Sequence, residues 1–168
     1  MIHPADDDPD ALARHCDIRF ERRSGPGGQH RNKVESAVVL THRPTGVLAE
    51  ASERRSQHEN RQVALFRLRV NLALSVRAVR LREQVPSPRW ALRCRAGRVR
   101  VNPEHADFPA LLAEVLDVFD ACHYDPRLTA EWLQTTASQL VRFLRLEPRA
   151  LGQVNRHRAA LGLRRLHP

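Results

Sequence analysis

The chain has 168 residues, 42% of them apolar, which suffices for one domain or two small ones around a modest core. No window approaches ~18 apolar residues, and the opening MIHPADDDPD is acidic without an apolar run, so neither a membrane-spanning helix nor a secretory leader is expected and the cytoplasm is the expected compartment. The net charge of +9 is unevenly spread: residues 11–100 hold 20 Lys and Arg against 7 Asp and Glu, whereas residues 101–168 hold 8 of each, so a polyanion partner is expected for the first stretch and a different task for the second.

Asp8 and Pro9 open a short predicted helix over residues 8–16, the Asp as cap and the Pro at the first helical position. Residues 17–22 alternate apolar and polar and predict a strand with Ile18 and Phe20 on one side. Residues 24–32 are a loop by composition. Strands follow over 34–41 and 47–51, joined by a hairpin connection in which Pro44 and Gly46 supply the turn geometry. Ser56 and Glu59 have the spacing of a capping box and start a predicted helix that runs to about residue 84, where Pro86 and Pro88 end it. Its apolar positions are Val63, Phe66, Val70, Leu74 and Leu81, with Arg61, Arg67, Arg69, Arg77, Arg80 and Arg82 filling much of the remainder.

Residues 86–104 read as an extended connector with a short strand near 98–101. Beyond them, helical patterns cover 108–121, about 126–134, about 137–146 and a last stretch ending near Leu161 and Gly162. The expected fold class is α+β. A small mixed or antiparallel sheet with a long packing helix occupies residues 1–85, and a small all-α domain occupies residues 105–168 beyond the 86–104 connector. The helices near 126–134 and 137–146, with Ala130, Leu133 and Leu140, have a spacing that resembles a helix-turn-helix, although the second offers only Arg142 and Arg145 as cations. Trp132 and Phe143 are expected in the core.

Cys16, Cys94 and Cys122 are far apart and form no C-x-x-C pair, and the nine histidines show no H-x-x-x-H spacing on a predicted helix. Neither a disulfide framework nor a bound metal is expected. Gly25, Pro26, Gly27, Gly28 and Gln29 concentrate three glycines and a proline in five positions. Glycine lets backbone approach a ligand closely, but the loop has neither the G-x-x-x-x-G-K-[ST] nor the G-x-G-x-x-G spacing of nucleotide-binding loops. Arg22, Arg23, Arg31 and Lys33 flank it, and Lys33 is the only lysine in the chain. Arginine suits bidentate contacts to phosphate.

The segment Ser24-Gly25-Pro26-Gly27-Gly28-Gln29-His30-Arg31-Asn32-Lys33 resembles the signature of the class I peptide-chain release factors and of their codon-independent relatives that rescue stalled ribosomes. Ser36-Ala37-Val38 fits the strand that follows it in the family. Thr41-His42-Arg43-Pro44-Thr45-Gly46 is similar to the family's T-H-x-P-T-G hairpin, and Arg54-Arg55-Ser56-Gln57-His58-Glu59-Asn60 to its R-S-Q-x-x-N helix start. The similarity covers residues 16–82.

The resemblance implies hydrolysis of the peptidyl-tRNA ester at the peptidyl-transferase centre, with the ribosome and peptidyl-tRNA as partners and no cofactor. Gly27 and Gly28 would shape the backbone path of the loop. The backbone N–H of Gln29 would stabilise developing negative charge while its side chain positions water. Gln29 would also be a candidate for N5-methylation by a glutamine methyltransferase. His30 is not expected to act as a general base. Arg22, Arg23, Arg31, Lys33, Arg54 and Arg55 would contact RNA phosphates.

The family's stop-codon readers carry a P-x-T or S-P-F tripeptide, and neither occurs here, so codon-independent action is expected. The charge-balanced residues 101–168 also depart from the Lys/Arg-rich tail of small rescue factors. Two other functions stand beside the hydrolase: a non-catalytic module that docks on ribosomal RNA, and a helix-turn-helix regulator. A monomer is expected.

Overall fold

The computed structural model describes residues 3–22 and 36–167. They form a mixed α/β structure that divides into two compact units, one ending at Val76 and the other beginning at Arg77.

In the first unit, helix α1 (Pro9–Arg14) begins as expected, with the Asp8 carboxylate accepting from Asp10 N at 2.9 Å and proline in the first turn. It ends two residues early, because Cys16 starts strand β1 (Cys16–Glu21). Strand β2 (Ala37–His42) pairs antiparallel with β1 from Cys16↔His42 to Glu21↔Ala37, and β3 (Leu48–Ala51) pairs antiparallel with β2 from Val38↔Ala51 to Thr41↔Leu48. The sheet order is β1-β2-β3. Cross-strand partners share a face, so Val38, Leu40, Ala49 and Ala51 form one buried apolar surface.

Helix α2 (Gln57–Ser75) packs on the sheet. Its buried side chains are Asn60, Ala64, Leu65, Leu68, Arg69, Val70, Leu72 and Ala73. The expected stripe of Val63, Phe66 and Leu74 is only half-buried, and Leu81 lies outside the helix and exposed. Arg69, expected at the surface, is buried. A 3₁₀ turn at Pro4–Asp6 lies against the helix, and the Arg69 Nε–H donates to the Ala5 carbonyl at 3.1 Å. His3 fastens that turn. Its Nδ1 accepts from Ala5 N at 3.0 Å, which leaves Nε2–H to donate to the Val76 carbonyl at 3.2 Å.

Helix α2 stops at Ser75, about nine residues before the predicted end. The residues that were to continue it are held otherwise: Ala78 N and Arg80 Nε donate to the two oxygens of Asp117 at 3.0 and 2.9 Å. Asp117 is 1% exposed, and a buried carboxylate needs donors more than these residues need another helical turn.

The second unit builds on residues expected to be an extended connector. Ser87 caps helix α3 (Pro88–Arg93), and strands β4 (Cys94–Arg95) and β5 (Arg98–Val99) form a hairpin. Its turn residues Ala96 and Gly97 both have positive φ, +48° and +72°, the geometry that matches a two-residue turn to strand twist. Helices α4 (Phe108–Ala121), α5 (Pro126–Trp132), α6 (Ala137–Leu144) and α7 (Pro148–Ala160) follow.

Helix α4 is buried on every side from Phe108 to Phe119, which makes it the centre of the unit. Its two mid-helix charges are satisfied, Asp117 as above and Glu114 by the backbone N–H and hydroxyl of Ser87. Trp90 is fully buried. It stands edge-on to Phe143 with centroids 5.6 Å apart and donates Nε1–H to the Leu133 carbonyl at 2.8 Å. Phe143 is buried as expected. Trp132 is only half-buried, with the Arg82 guanidinium 5.2 Å over its ring. No helix among the described residues is long and apolar enough to cross a membrane.

Trp90 ties α3 to both α6 and the end of α5, so Trp90→Ala is expected to destabilise the second unit by about 3–5 kcal/mol. Urea unfolding followed by circular dichroism measures this.

Candidate functional site

The two strands that bracket residues 23–35 end as partners: Glu21 and Ala37 are the last rung of the β1–β2 ladder, with Cα atoms about 4.5–5.5 Å apart. Arg22 and Ser36, one residue beyond that rung on either side, are therefore the roots of the loop. Gly27, Gly28 and Gln29, their neighbour His30, and the cations Arg23, Arg31 and Lys33 lie outside the described residues.

The root at Ser36 is held by Asn60, on the first turn of α2. Asn60 is 0% exposed. Its Nδ2 donates to the Ser36 carbonyl at 2.6 Å and to the Arg54 carbonyl at 2.9 Å, and its Oδ1 accepts from Arg54 N at 2.9 Å. One amide thus joins the loop root, the turn after β3 and the helix start. Ser56 caps that helix, its Oγ accepting from Glu59 N at 3.5 Å. Sequence reasoning assigned Asn60 no role. The signal was a buried-type amide at the end of the R-S-Q-x-x-N segment, which makes sense only when the strand start is in place to receive it.

The Thr41–Gly46 segment is a second brace, at the opposite end of the sheet. The His42 carbonyl accepts from Gly46 N at 2.8 Å, and His42 Nδ1 meets Thr45 Oγ1 at 2.8 Å. Gly46 has φ +70°, where a β-carbon would be strained. Arg43 reaches back to α1 and β1, with Nη1 donating to the Cys16 carbonyl at 2.9 Å and pairing with Asp17 at 3.2 Å, and Nη2 donating to the Arg14 carbonyl. Arg43 is therefore a structural cation. His42 is 5% exposed. Burial lowers its pKa below 6.5, with the nearby charges of His15 and Arg43 acting in the same direction and Asp7 opposing.

Among the six expected RNA-contacting cations, the structure describes Arg22, Arg54 and Arg55, and all three are exposed. Arg54 shares the Asn60 amide with Ser36, so it stands at the same root. The arrangement can present positive charge beside the two ends of the 23–35 segment, the layout that phosphate contacts need. Among the described residues no cluster of three His, Cys, Asp or Glu side chains is placed to hold a metal ion.

Known proteins share this segment. The model of the RF-1 domain family matches residues 10–96, just over half of the chain. Peptide chain release factor 1 of Xylella fastidiosa is 45% identical over 80 residues, 46% of this chain and 22% of the relative. Peptide chain release factor 1 of Acidiphilium cryptum is 47% identical over 79 residues, again 46% and 22%. Peptide chain release factor 2 of Thermotoga petrophila is 47% identical over 74 residues, 43% of this chain and 20% of the relative. The chain spans about a fifth of the length of the curated relatives it matches.

Removing the Asn60 amide takes the partner from two carbonyls and one N–H at a part-buried site. Asn60→Ala is expected to cost about 2–3 kcal/mol and to speed amide exchange at Arg54, read by hydrogen exchange. For His42, the depressed folded pKa means that the unfolded chain takes up protons first as the pH drops. The stability His42 contributes is present above pH 6.5 and is lost as the pH falls from there through its lower folded value. His42→Gln should flatten that part of a stability-versus-pH curve.

Proposed function

The chain belongs to the RF-1 domain family, and from that premise we propose that it hydrolyses the ester bond of peptidyl-tRNA on the ribosome without itself reading a stop codon. The observation that carries this reading is the Ser24–Lys33 segment, which falls inside the matched residues 10–96 and includes Gly27, Gly28 and Gln29. Water attacks the ester carbonyl carbon. The bond to the ribose oxygen breaks, that oxygen takes a proton, and the products are a peptide carboxylate and a deacylated tRNA.

In this mechanism the Gln29 backbone N–H stabilises the charge that develops on oxygen, an effect worth about 3–4 kcal/mol in other hydrolases. The Gln29 side chain is neutral, so it positions water without adding charge among phosphates. Gly27 and Gly28 give the backbone room at the ester. Arg22, Arg23, Arg31, Lys33, Arg54 and Arg55 contact RNA phosphates and hold the loop in register. Gln29 is the site for N5-methylation by a glutamine methyltransferase. The reaction takes place in the cytoplasm, with the protein a monomer that needs no cofactor. The unit that ends at Val76 carries the hydrolysis, and the unit that begins at Arg77, with its hairpin as well as its helices, is an accessory domain.

Single-turnover release of labelled peptide tests the proposal on ribosomes with a stop codon, a sense codon or a truncated message, beside free peptidyl-tRNA. Release is expected to require the ribosome and to be indifferent to the codon. Release confined to stop codons would overturn codon independence. Ribosome binding without any release would replace the hydrolase with a non-catalytic docking module. Gly28→Ala, which adds a β-carbon where the backbone meets the ester, should keep the fold and ribosome binding but slow release roughly 10²–10³-fold.

A further inference from the structure

We propose that the second unit carries its own RNA-docking surface, a strip of arginines running from the β4–β5 hairpin across helix α6 that grips phosphate backbone independently of the loop after β1. Arg95, Arg98 and Arg100 belong to the hairpin and its exit, and Arg142 and Arg145 to the end of α6; all five are exposed. They lie side by side. An open groove of about 630 Å³ is lined by Arg98 and Arg100 from one side and Arg142 from the other. A second groove continues past Arg98 and Arg100 to Arg95, and a third past Arg142 to Arg145 and His167. None of the residues lining the three grooves is an aspartate or glutamate.

Five other arginines of the same unit are paired with carboxylates. Arg80 bonds Asp117, Arg82 bonds Glu131, Arg89 and Arg93 bond Asp107, and Arg149 bonds Glu147. Among the described residues the five guanidinium groups of the strip have no such partner. Five exposed guanidinium groups without carboxylate partners in adjoining grooves concentrate positive charge, which attracts a polyanion. Side chains also fix the hairpin to α6 and the turn before it. Gln139 Oε1 accepts from Val99 N at 3.4 Å, and Thr135 Oγ1 donates to the Gly97 carbonyl at 2.7 Å. The backbone that carries the strip is therefore held in one shape before binding.

The chemistry favours backbone contact over base reading. Helices α5 and α6 have the order of a helix-turn-helix, but the amide near the start of α6, Gln139, is spent on Val99, and the exposed side chains of α6 beyond Ser138 are arginines. An operator reader needs amides or guanidinium groups directed at base edges from the helix start. The strip offers cations to phosphates instead. Choosing RNA over DNA rests on the ribosomal reading above.

The test measures binding of the full chain to an RNA stem-loop by fluorescence anisotropy across a salt series. Arg98→Gln, Arg100→Gln and Arg142→Gln are combined in one variant. A control variant loses the same charge at exposed Arg14, Arg19 and Arg156, which line none of the grooves. The strip variant should bind roughly ten- to a hundredfold more weakly and reduce the slope of log K against log salt by about 2, whereas the control changes little. Equal losses in both variants, or none in the strip variant with an unchanged melting curve, would overturn the strip. Tighter binding of duplex DNA than of the stem-loop would overturn the choice of RNA. Gly28→Ala should bind the stem-loop as wild type does, which separates the strip from the loop. If the wild-type chain releases no peptide while the strip variant still loses RNA affinity, the hydrolase reading fails and the strip stands.

Discussion

A fully buried amide must find partners, and Asn60 finds all of them at one place. Its donors go to the carbonyls of Ser36 and Arg54 and its acceptor to Arg54 N. None of these can be given up without leaving a polar group of the buried Asn60 unpaired, so Ser36, the turn after β3 and the start of α2 are fixed together. The β1–β2 ladder closes the other side of the same frame at Glu21↔Ala37. The hydrolysis proposed for the segment between these roots needs a rigid base, since a displacement of about 1 Å at the reacting atoms can cost a hundredfold in rate. The frame supplies that base with one amide and one ladder rung.

Buried carboxylates play the corresponding part in the second unit. Asp117 and Glu114 sit one turn apart on α4, the most enclosed helix among the described residues. They draw in the backbone and side chains of Ala78, Arg80 and Ser87. Each is stabilised by several donors at once, the condition under which a buried charge is tolerated. Their demand shapes residues 78–87 more strongly than helix propensity does. It also sets the start of α3, whose Trp90 then reaches Leu133 and Phe143 and positions the hairpin that follows.

The sheet strands, the hairpin at Thr41–Gly46 and the start of α2 were legible in the sequence because short-range chemistry dictates them. Alternation places Val38 and Leu40 on one face, the Pro44–Gly46 turn has few alternatives, and Ser56 is a strong cap. The motifs around Gln29 pointed to the family for the same reason, since each is a local pattern that survives without knowledge of packing. The length of α2 was not legible, because nothing in residues 76–84 announces that Asp117, far along the chain, will take their hydrogen bonds. Arg69 was misjudged, and the burial of Trp90 was not legible, on similar grounds. Whether an arginine or a tryptophan is covered depends on which distant segment lies over it, here the Pro4–Asp6 turn and the ends of α5 and α6.

By itself, then, the amino-acid sequence determined the family and the strand pattern, and it supplied the Ser24–Lys33 segment on which the proposed chemistry rests, all properties of residues within a few positions of one another. Tertiary structure alone decided the Asn60 frame, the end of α2 and the arginine strip. The strip shows the reason most clearly. Counted along the chain, residues 101–168 are charge-neutral, yet folding brings Arg95, Arg98 and Arg100 from before that boundary beside Arg142 and Arg145, in grooves that no carboxylate lines. Charge density on a surface is a property of positions in space, and only the packed chain sets those.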